Sequence, residues 1–367
     1  MIAWPRRGWD MRTKTLFSVS LLFLSALSPL ARAADADGPL PLVDGFMSCQ
    51  GRCADFVPAK PVSQEMPRIS NTSISESRRS SDGFVKVLYT VGPDGRVRDD
   101  VLVVNLIGSR DFADKVVEKV RTWRFKPATS NGKPVAQSQT QQLLMNVASG
   151  PFPVLPRIEV IRVQKDIPVL MAQGKTEEAR AELEDVLRNV PLSFSERTAI
   201  ASSLADMAFD RGDYMEARRL AVIANLSVPT GSGNAWLTRI KADLMLGNVS
   251  DALYSFAVQR YTPAFALPDL MQKARATADA APLLTMQAQI PVAEEGDAYA
   301  FIPYRRTFTF QKIQGSLQKF TLSCRQATME SDITPTSQWR IPSSWNGCSV
   351  YVRGTPGTRF LVVQPKE

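Results

Sequence analysis

The 367-residue sequence predicts a multidomain α+β protein: a small β-β-α-β unit, then a run of α-helical hairpin repeats, then a small disulfide-linked all-β unit. Three observations predict this. Apolar residues alternate with period two in "GFVKVLYTV" and "VLVVNLI", then switch to a spacing of three or four through "SRDFADKVVEKVRTW". Glycines that open similar segments recur at 174, 212 and 247. Past residue 295 the period returns to two and a pair of cysteines appears. The expected boundaries are 1–33 for a signal peptide, 34–66 for a linker with Cys49 and Cys53, 67–150 for the β-β-α-β unit, 155–290 for the helices and 295–367 for the β unit.

The first segment reads as an address. Arg6, Arg7, Arg12 and Lys14 precede the apolar run "LFSVSLLFLSALSPL", and Ala31-Arg32-Ala33 supplies small residues for cleavage before Ala34. The run is shorter than the ~20 residues that span a bilayer, so cleavage is expected. Retention of the signal would instead leave the chain anchored in the inner membrane. Residues 1–33 hold five basic residues and one acid, so their removal lowers the formal charge from +8 to +4. That balance gives no electrostatic footprint for nucleic acid.

The next unit is read from its strands. In "GFVKVLYTV", Val85, Val87, Tyr89 and Val91 share one face. "GPDG" at 92–95 is a tight turn, and "RVRDDVLVVNLI" returns as a second strand. Ser109 caps a helix whose Phe112, Val116, Val120 and Trp123 fall three or four apart, with Asp111 four before Lys115. Trp123 and Phe125 then alternate with Arg124 and Lys126, as core residues at the helix exit. The turn "NGKPV" leads to a last strand, "QTQQLLMNV".

As a set, the alternating strand after glycine, "GPDGRV", "RTWRFKPA" and "NGKPV" before a final strand make residues 83–147 resemble the TonB C-terminal domain, the periplasmic end of the transducer that energises outer-membrane receptors. The resemblance covers under a fifth of the chain. It departs from the family at its start, where "EMPRIS" stands in place of a tyrosine between prolines. The family's transducers also carry an uncleaved inner-membrane helix bearing a histidine, then a long Pro-rich spacer; neither the histidine nor the spacer occurs here. The resemblance implies a periplasmic location, a role assisting transmembrane transport, and uptake of a receptor's TonB-box peptide by backbone pairing on the final strand. The matching positions are Gln139, Gln141, Gln142, Leu143, Leu144, Met145, Asn146 and Val147. Leu143, Met145 and Val147 are expected to face inward, and Gln142, Leu144 and Asn146 the other way. The implied partner is a TonB-dependent receptor of the outer membrane or another envelope protein. The same edge could pair with a second copy in a homodimer.

The middle region is Ala- and Leu-rich. "GKTEEA", "GDYMEA" and "GNVSDA" align without gaps, at intervals of 38 and 35 residues. With Pro191 and Pro229 each twelve residues past an aligned alanine, and Trp236 sixteen before Ala252, the region resembles three degenerate tetratricopeptide repeats. A generic helical bundle is the competing reading. The last region offers the strands "RRTFTF", "LQKFTLSCR", "QWRI", "CSVYVRG" and "TRFLVVQ", with "GTPGT" as a hairpin turn. An even cysteine count in an exported chain reads as two disulfides, Cys49–Cys53 and Cys324–Cys348. The second closes a loop worth roughly 3 kcal/mol in the chain-entropy picture.

Catalysis finds little support. The sequence contains no histidine, which removes the commonest general base and zinc ligand and rules out Ser-His-Asp and Cys-His nucleophiles. No nucleotide loop, metal-ligand cluster or paired-carboxylate motif is present; Asp99-Asp100 and Glu294-Glu295 read as solvated turn residues. The expectation is a binding protein, not an enzyme, with no cofactor and no metal. Two functions follow: a TonB-like adaptor that captures peptide, or a tetratricopeptide-type scaffold for an envelope complex without transport coupling.

Overall fold

A computed structural model describes residues 56–66, 83–145, 158–190, 192–226, 233–258, 267–334 and 337–366. The expected signal peptide, Cys49, Cys53, Asn146 and Val147 lie outside the described residues.

The first unit centres on a three-stranded antiparallel sheet in the order β4-β3-β8, made of β3 (Gly83–Val91), β4 (Leu102–Ile107) and β8 (Gln137–Met145). Helix α1 (Arg110–Arg121) packs on one face. Its start is fixed by Ser109, whose hydroxyl accepts from the Phe112 N–H at 3.2 Å. Val85, Val87, Tyr89 and Val91 meet Phe112, Val116, Val120 and Trp123 in one core. Trp123 and Phe125 belong to that core. Trp123 stands edge-on to Tyr89 at 5.6 Å and donates its indole N–H to the Glu65 carbonyl at 2.9 Å.

Part of the segment expected as linker is strand. β1 (Phe56–Val57) and β2 (Lys60–Ser63) pair with β6 (Ala128–Ser130) and β5 (Arg124–Lys126), while β7 (Lys133–Val135) pairs with β6. Short, mostly exposed strands with two prolines between residues 58 and 61 carry almost no periodic signal of their own. The turn at 92–95 packs against the same place. The Gly95 carbonyl accepts from the Phe125 N–H at 2.8 Å, and Gly95 sits at φ 77° where a Cβ would lie 2.1 Å from the Phe125 carbonyl oxygen.

Helices α2 (Ile158–Ala172) and α3 (Thr176–Asn189), α4 (Phe194–Asp210) and α5 (Tyr214–Asn225), and α6 (Gly233–Met245) and α7 (Val249–Val258) form three successive hairpins, followed by α8 (Leu267–Ala280). Gly174, Gly212 and Gly247 occupy the three turns in the left-handed region, and the aligned Ala179, Ala217 and Ala252 are fully buried. Gly247 has a second reason to lack a side chain: a Cβ there would sit 2.2 Å from the Thr285 carbonyl.

The β region begins earlier than expected, with β9 (Leu283–Gln289) in the stretch assigned to helices. Its Met286 and Ala288 point inward with period two, and it gains its place by pairing along β16 (Arg359–Pro365). Two four-stranded sheets form. One is ordered β10 (Tyr299–Phe301), β15 (Ser349–Gly354), β12 (Leu317–Ser323), β13 (Thr328–Asp332). The other is ordered β14 (Gln338–Arg340), β11 (Thr307–Gln314), β16, β9. They share a core in which Phe308, Phe310, Phe320 and Trp339 stack or meet edge to face. "GTPGT" is therefore not a hairpin turn. It joins β15 and β16, which lie in different sheets, because Val350 and Val352 of the first and Phe360 and Val362 of the second meet in the core between the sheets. The Cys324–Cys348 disulfide is present, tied into this core. No helix among the described residues is long and apolar enough to cross a membrane.

The β3-β4-β8 sheet is covered on both faces. Behind it, Phe84 and Ile107 pack on Phe194, and Leu88, Leu102 and Val104 pack on Ala298 and Tyr351. The near-continuous apolar runs of β3 and β4 suit a sheet buried on both sides.

Candidate functional site

The two edges of this sheet meet different surroundings. Along β4 the loop after β9 fills the edge. Leu106 N–H donates to the Glu295 carbonyl at 2.8 Å, Asp297 N–H to the Val103 carbonyl at 2.7 Å, and Val103 N–H to Asp297 Oδ2 at 3.0 Å. The other oxygen of Asp297 receives Arg110 Nη1 at 2.7 Å, so one carboxylate ties the loop to both strand and helix. Glu295, expected as a solvated turn residue, is instead half-buried and ion-paired to Arg219. Burial raises its pKa, and Arg219 opposes that rise.

On β8, among the described residues, another segment caps only the beginning. Ser138 N–H donates to Thr328 Oγ1 at 2.9 Å, and the Gln137 amide donates to the Arg325 carbonyl at 3.1 Å. This contact also fixes which backbone groups point outward. Ser138 stands opposite Thr90, whose carbonyl accepts from Arg98 on the far side, so Thr90–Ser138 is a pair without mutual backbone hydrogen bonds. Alternation along the unbroken register makes Tyr89–Gln139, Val87–Gln141 and Val85–Leu143 the bonded pairs. The N–H and C=O groups of Thr140, Gln142 and Leu144 then face away from the sheet.

The eight positions expected from the family resemblance are thus sorted. Gln139, Gln141 and Leu143 spend their backbone groups on β3, and Leu143 is buried in the core. Met145 ends the strand. Gln142 and Leu144 combine outward backbone with exposed side chains, Leu144 being 50% exposed. Thr140 belongs with them and was missed. Its signal was parity alone, since it lies two and four residues before Gln142 and Leu144. Tyr89 anchors the helix-side face, donating its hydroxyl to Gln139 Oε1 at 3.1 Å. Burial raises the pKa of that phenol to about 12.

Behind the sheet lies a cavity of about 970 Å³ lined by β3, β4 and β8, by α5 to α7 and by both sheets of the sandwich. Thr140 and Gln142 reach it from the open strand, and Lys86 from the sheet centre. Burial, then the nearby charge of Arg239, lowers the pKa of Lys86, and Asp251 acts against them. On the helical wall, Arg218 Nε donates to Asp243 Oδ1 at 2.6 Å and the guanidinium lies 4.9 Å over the Tyr299 ring. Burial opposes the Arg218 charge, but Tyr299, Asp243 and Asp251 outweigh it and its pKa is raised. Asp251 accepts from Ile302 N–H at 3.1 Å, and burial and then Asp243 raise its pKa toward the neutral form. Lys86 was the one charge within "GFVKVLYTV", and that isolation was the available signal. Among the described residues no group of three or more His, Cys, Asp or Glu side chains is placed to hold a metal.

Comparison with known proteins bears on the first unit. Protein TonB of Pseudomonas aeruginosa is 39% identical over 69 residues, which are 19% of this chain and 20% of that protein's length. The chain thus matches only about a fifth of this curated relative. A solution structure of the Pseudomonas aeruginosa TonB C-terminal domain aligns at 30% identity over 27% of this chain and 93% of that one, with a TM-score of 0.21. Streptomyces albus HEPD aligns over 77% of this chain at 10% identity and a TM-score of 0.16, too poor a superposition to inform fold or function. Residues 75–143 of this chain match the family described as Gram-negative bacterial TonB protein C-terminal.

Proposed function

We propose that this protein works in the periplasm as a TonB-like adaptor. It takes up an extended peptide of an outer-membrane receptor or another envelope protein by strand addition on β8, and so assists transport across the outer membrane. The family match supports an envelope role of the TonB kind. The observation that carries the finer reading is the asymmetry of the sheet edges. β4 is filled by the 295–297 loop, whereas among the described residues the outward backbone groups of Thr140, Gln142 and Leu144 meet only the Gln141 side-chain amide, which donates to the Gln142 carbonyl at 3.1 Å. An unpaired edge of that kind is a template for another chain's strand. A photo-reactive residue at position 144, introduced in cells, tests the reading. Capture of outer-membrane receptors supports it, recovery of soluble envelope proteins alone overturns the transport role but not strand addition, and no capture overturns both.

One observation favours a scaffold as a second reading. The first hairpin exposes two large apolar side chains on one face of α2, Ile158 and Val169, eleven residues apart. A tetratricopeptide-type scaffold would use that surface to hold an envelope assembly without transport coupling. Crosslinking from position 169 reads it directly. Capture of envelope proteins at 169 but none at 144 selects the scaffold.

A further inference from the structure

The cavity behind the sheet carries an imbalance of charge. Among the described residues, six cations (Lys86, Arg218, Arg219, Arg239, Arg325 and Arg359) line it against four carboxylates (Asp213, Glu216, Asp251 and Glu295). Arg219 pairs with Glu216 and Glu295, and the charges acting on Lys86 are Arg239 and Asp251. Asp243 is fully buried and already serves three groups. Arg218 Nε lies at 2.6 Å, the Asn248 amide at 3.1 Å, and Arg239 Nε at 3.7 Å, beyond hydrogen-bonding reach. Asp251 is committed to the Ile302 N–H and biased toward its neutral form. Lys86 has no ion-pair partner among the described residues. A half-buried ammonium without a carboxylate is costly unless water or a ligand supplies the counter-charge.

The rest of the wall mixes polar side chains with an apolar surface. Val222 and Leu226 of α5 contribute, and so do Tyr254, Val258 and Val292, three of the exposed large hydrophobic residues of the molecule. A volume of about 970 Å³ lies at the upper end of the range typical for small-molecule sites, which pair apolar walls with a few placed polar groups. We propose that this cavity binds a small amphipathic anion, its carboxylate or phosphate head held by Lys86 and Arg239 and its apolar body laid against Val222, Leu226, Tyr254 and Val258. The site is built by all three regions of the chain and does not depend on peptide capture at β8. Because Thr140 and Gln142 line it, a bound anion rests beside the open strand.

Isothermal titration of the full exported chain tests this with laurate, dodecyl phosphate, 1-dodecanol and acetate, all below their micelle concentrations. The expected result is that laurate or dodecyl phosphate binds at least about tenfold more tightly than dodecanol, and acetate still more weakly. Whichever of the two anions leads identifies the head group. Lys86→Met should abolish the preference for the anion while leaving dodecanol binding and the circular dichroism spectrum unchanged. Should Lys86→Met fail to fold, Arg239→Gln reads the same preference. Equal affinity for anion and alcohol, an unaltered preference in a folded variant, or no binding of either anion to the folded protein would each overturn the proposal.

Discussion

Two neighbouring glutamines on β8 differ in one respect that the structure makes consequential. Gln141 directs its N–H inward to the Val87 carbonyl, whereas Gln142 directs its N–H outward from the sheet. Proline removes an N–H at either place, so Gln141→Pro and Gln142→Pro compare the two directions with the same chemistry. At 141 a ladder bond of about 1 kcal/mol is lost, and the carbonyl of fully buried Val87 loses its partner at a further 1–3 kcal/mol. Roughly 3 kcal/mol in total corresponds to a melting shift on the order of 4 °C for a chain of this size. At 142 no internal bond breaks, and proline on an edge with its nitrogen facing solvent is tolerated, so the loss should stay under about 1 kcal/mol. Peptide affinity should show the reverse order. Gln142→Pro removes an outward donor and should weaken the peptide captured from position 144 by about tenfold, measured by fluorescence anisotropy. Melting points within about 2 °C of each other would refute the assigned strand register. A Gln142→Pro variant that binds as well as the parent would refute strand addition at this edge.

Other consequences follow from the same geometry. Asp297→Ala removes the carboxylate shared by Arg110 and the Val103 N–H; it should cost about 2 kcal/mol in chemical denaturation and, by exposing the β4 edge, raise self-association in light scattering. Asp243→Ala strands buried Arg218 and should cost about 3–5 kcal/mol, most of it recovered by adding Arg218→Met; a loss below about 1 kcal/mol would show that the pair is not buried as described. Tyr89 and Tyr351 both have pKa values raised by burial to about 12. Their contribution is complete below the ordinary tyrosine pKa near 10 and is lost as pH rises through about 12. Stability should therefore fall between those values as absorbance at 295 nm reports phenolate, and a melting point unchanged across the window would contradict it.

Local chemistry determined much of this protein from the sequence alone. Period-two runs placed β3, β4 and β8, Ser109 started α1, and Trp123 and Phe125 announced a core at the helix exit. The recurring glycines marked the three helical turns because a residue in the left-handed region has few alternatives. Cys324 and Cys348 were paired on count and compartment. These signals concern a residue and its near neighbours, and a single chain displays them in order.

Contacts across large separations decided the rest. Nothing near β4 in the sequence says that residues 295–297, some 190 positions later, fill its edge, nor that Thr328 caps Ser138. β9 looked like part of the helical run until its pairing with β16 gave it a partner. "GTPGT" looked like a hairpin because a turn's composition records its local bend and not which sheet receives each strand. The open edge on β8 and the cavity behind it share that origin. Each is defined by what three distant segments cover and leave uncovered, and burial of that kind exists only once the chain has folded.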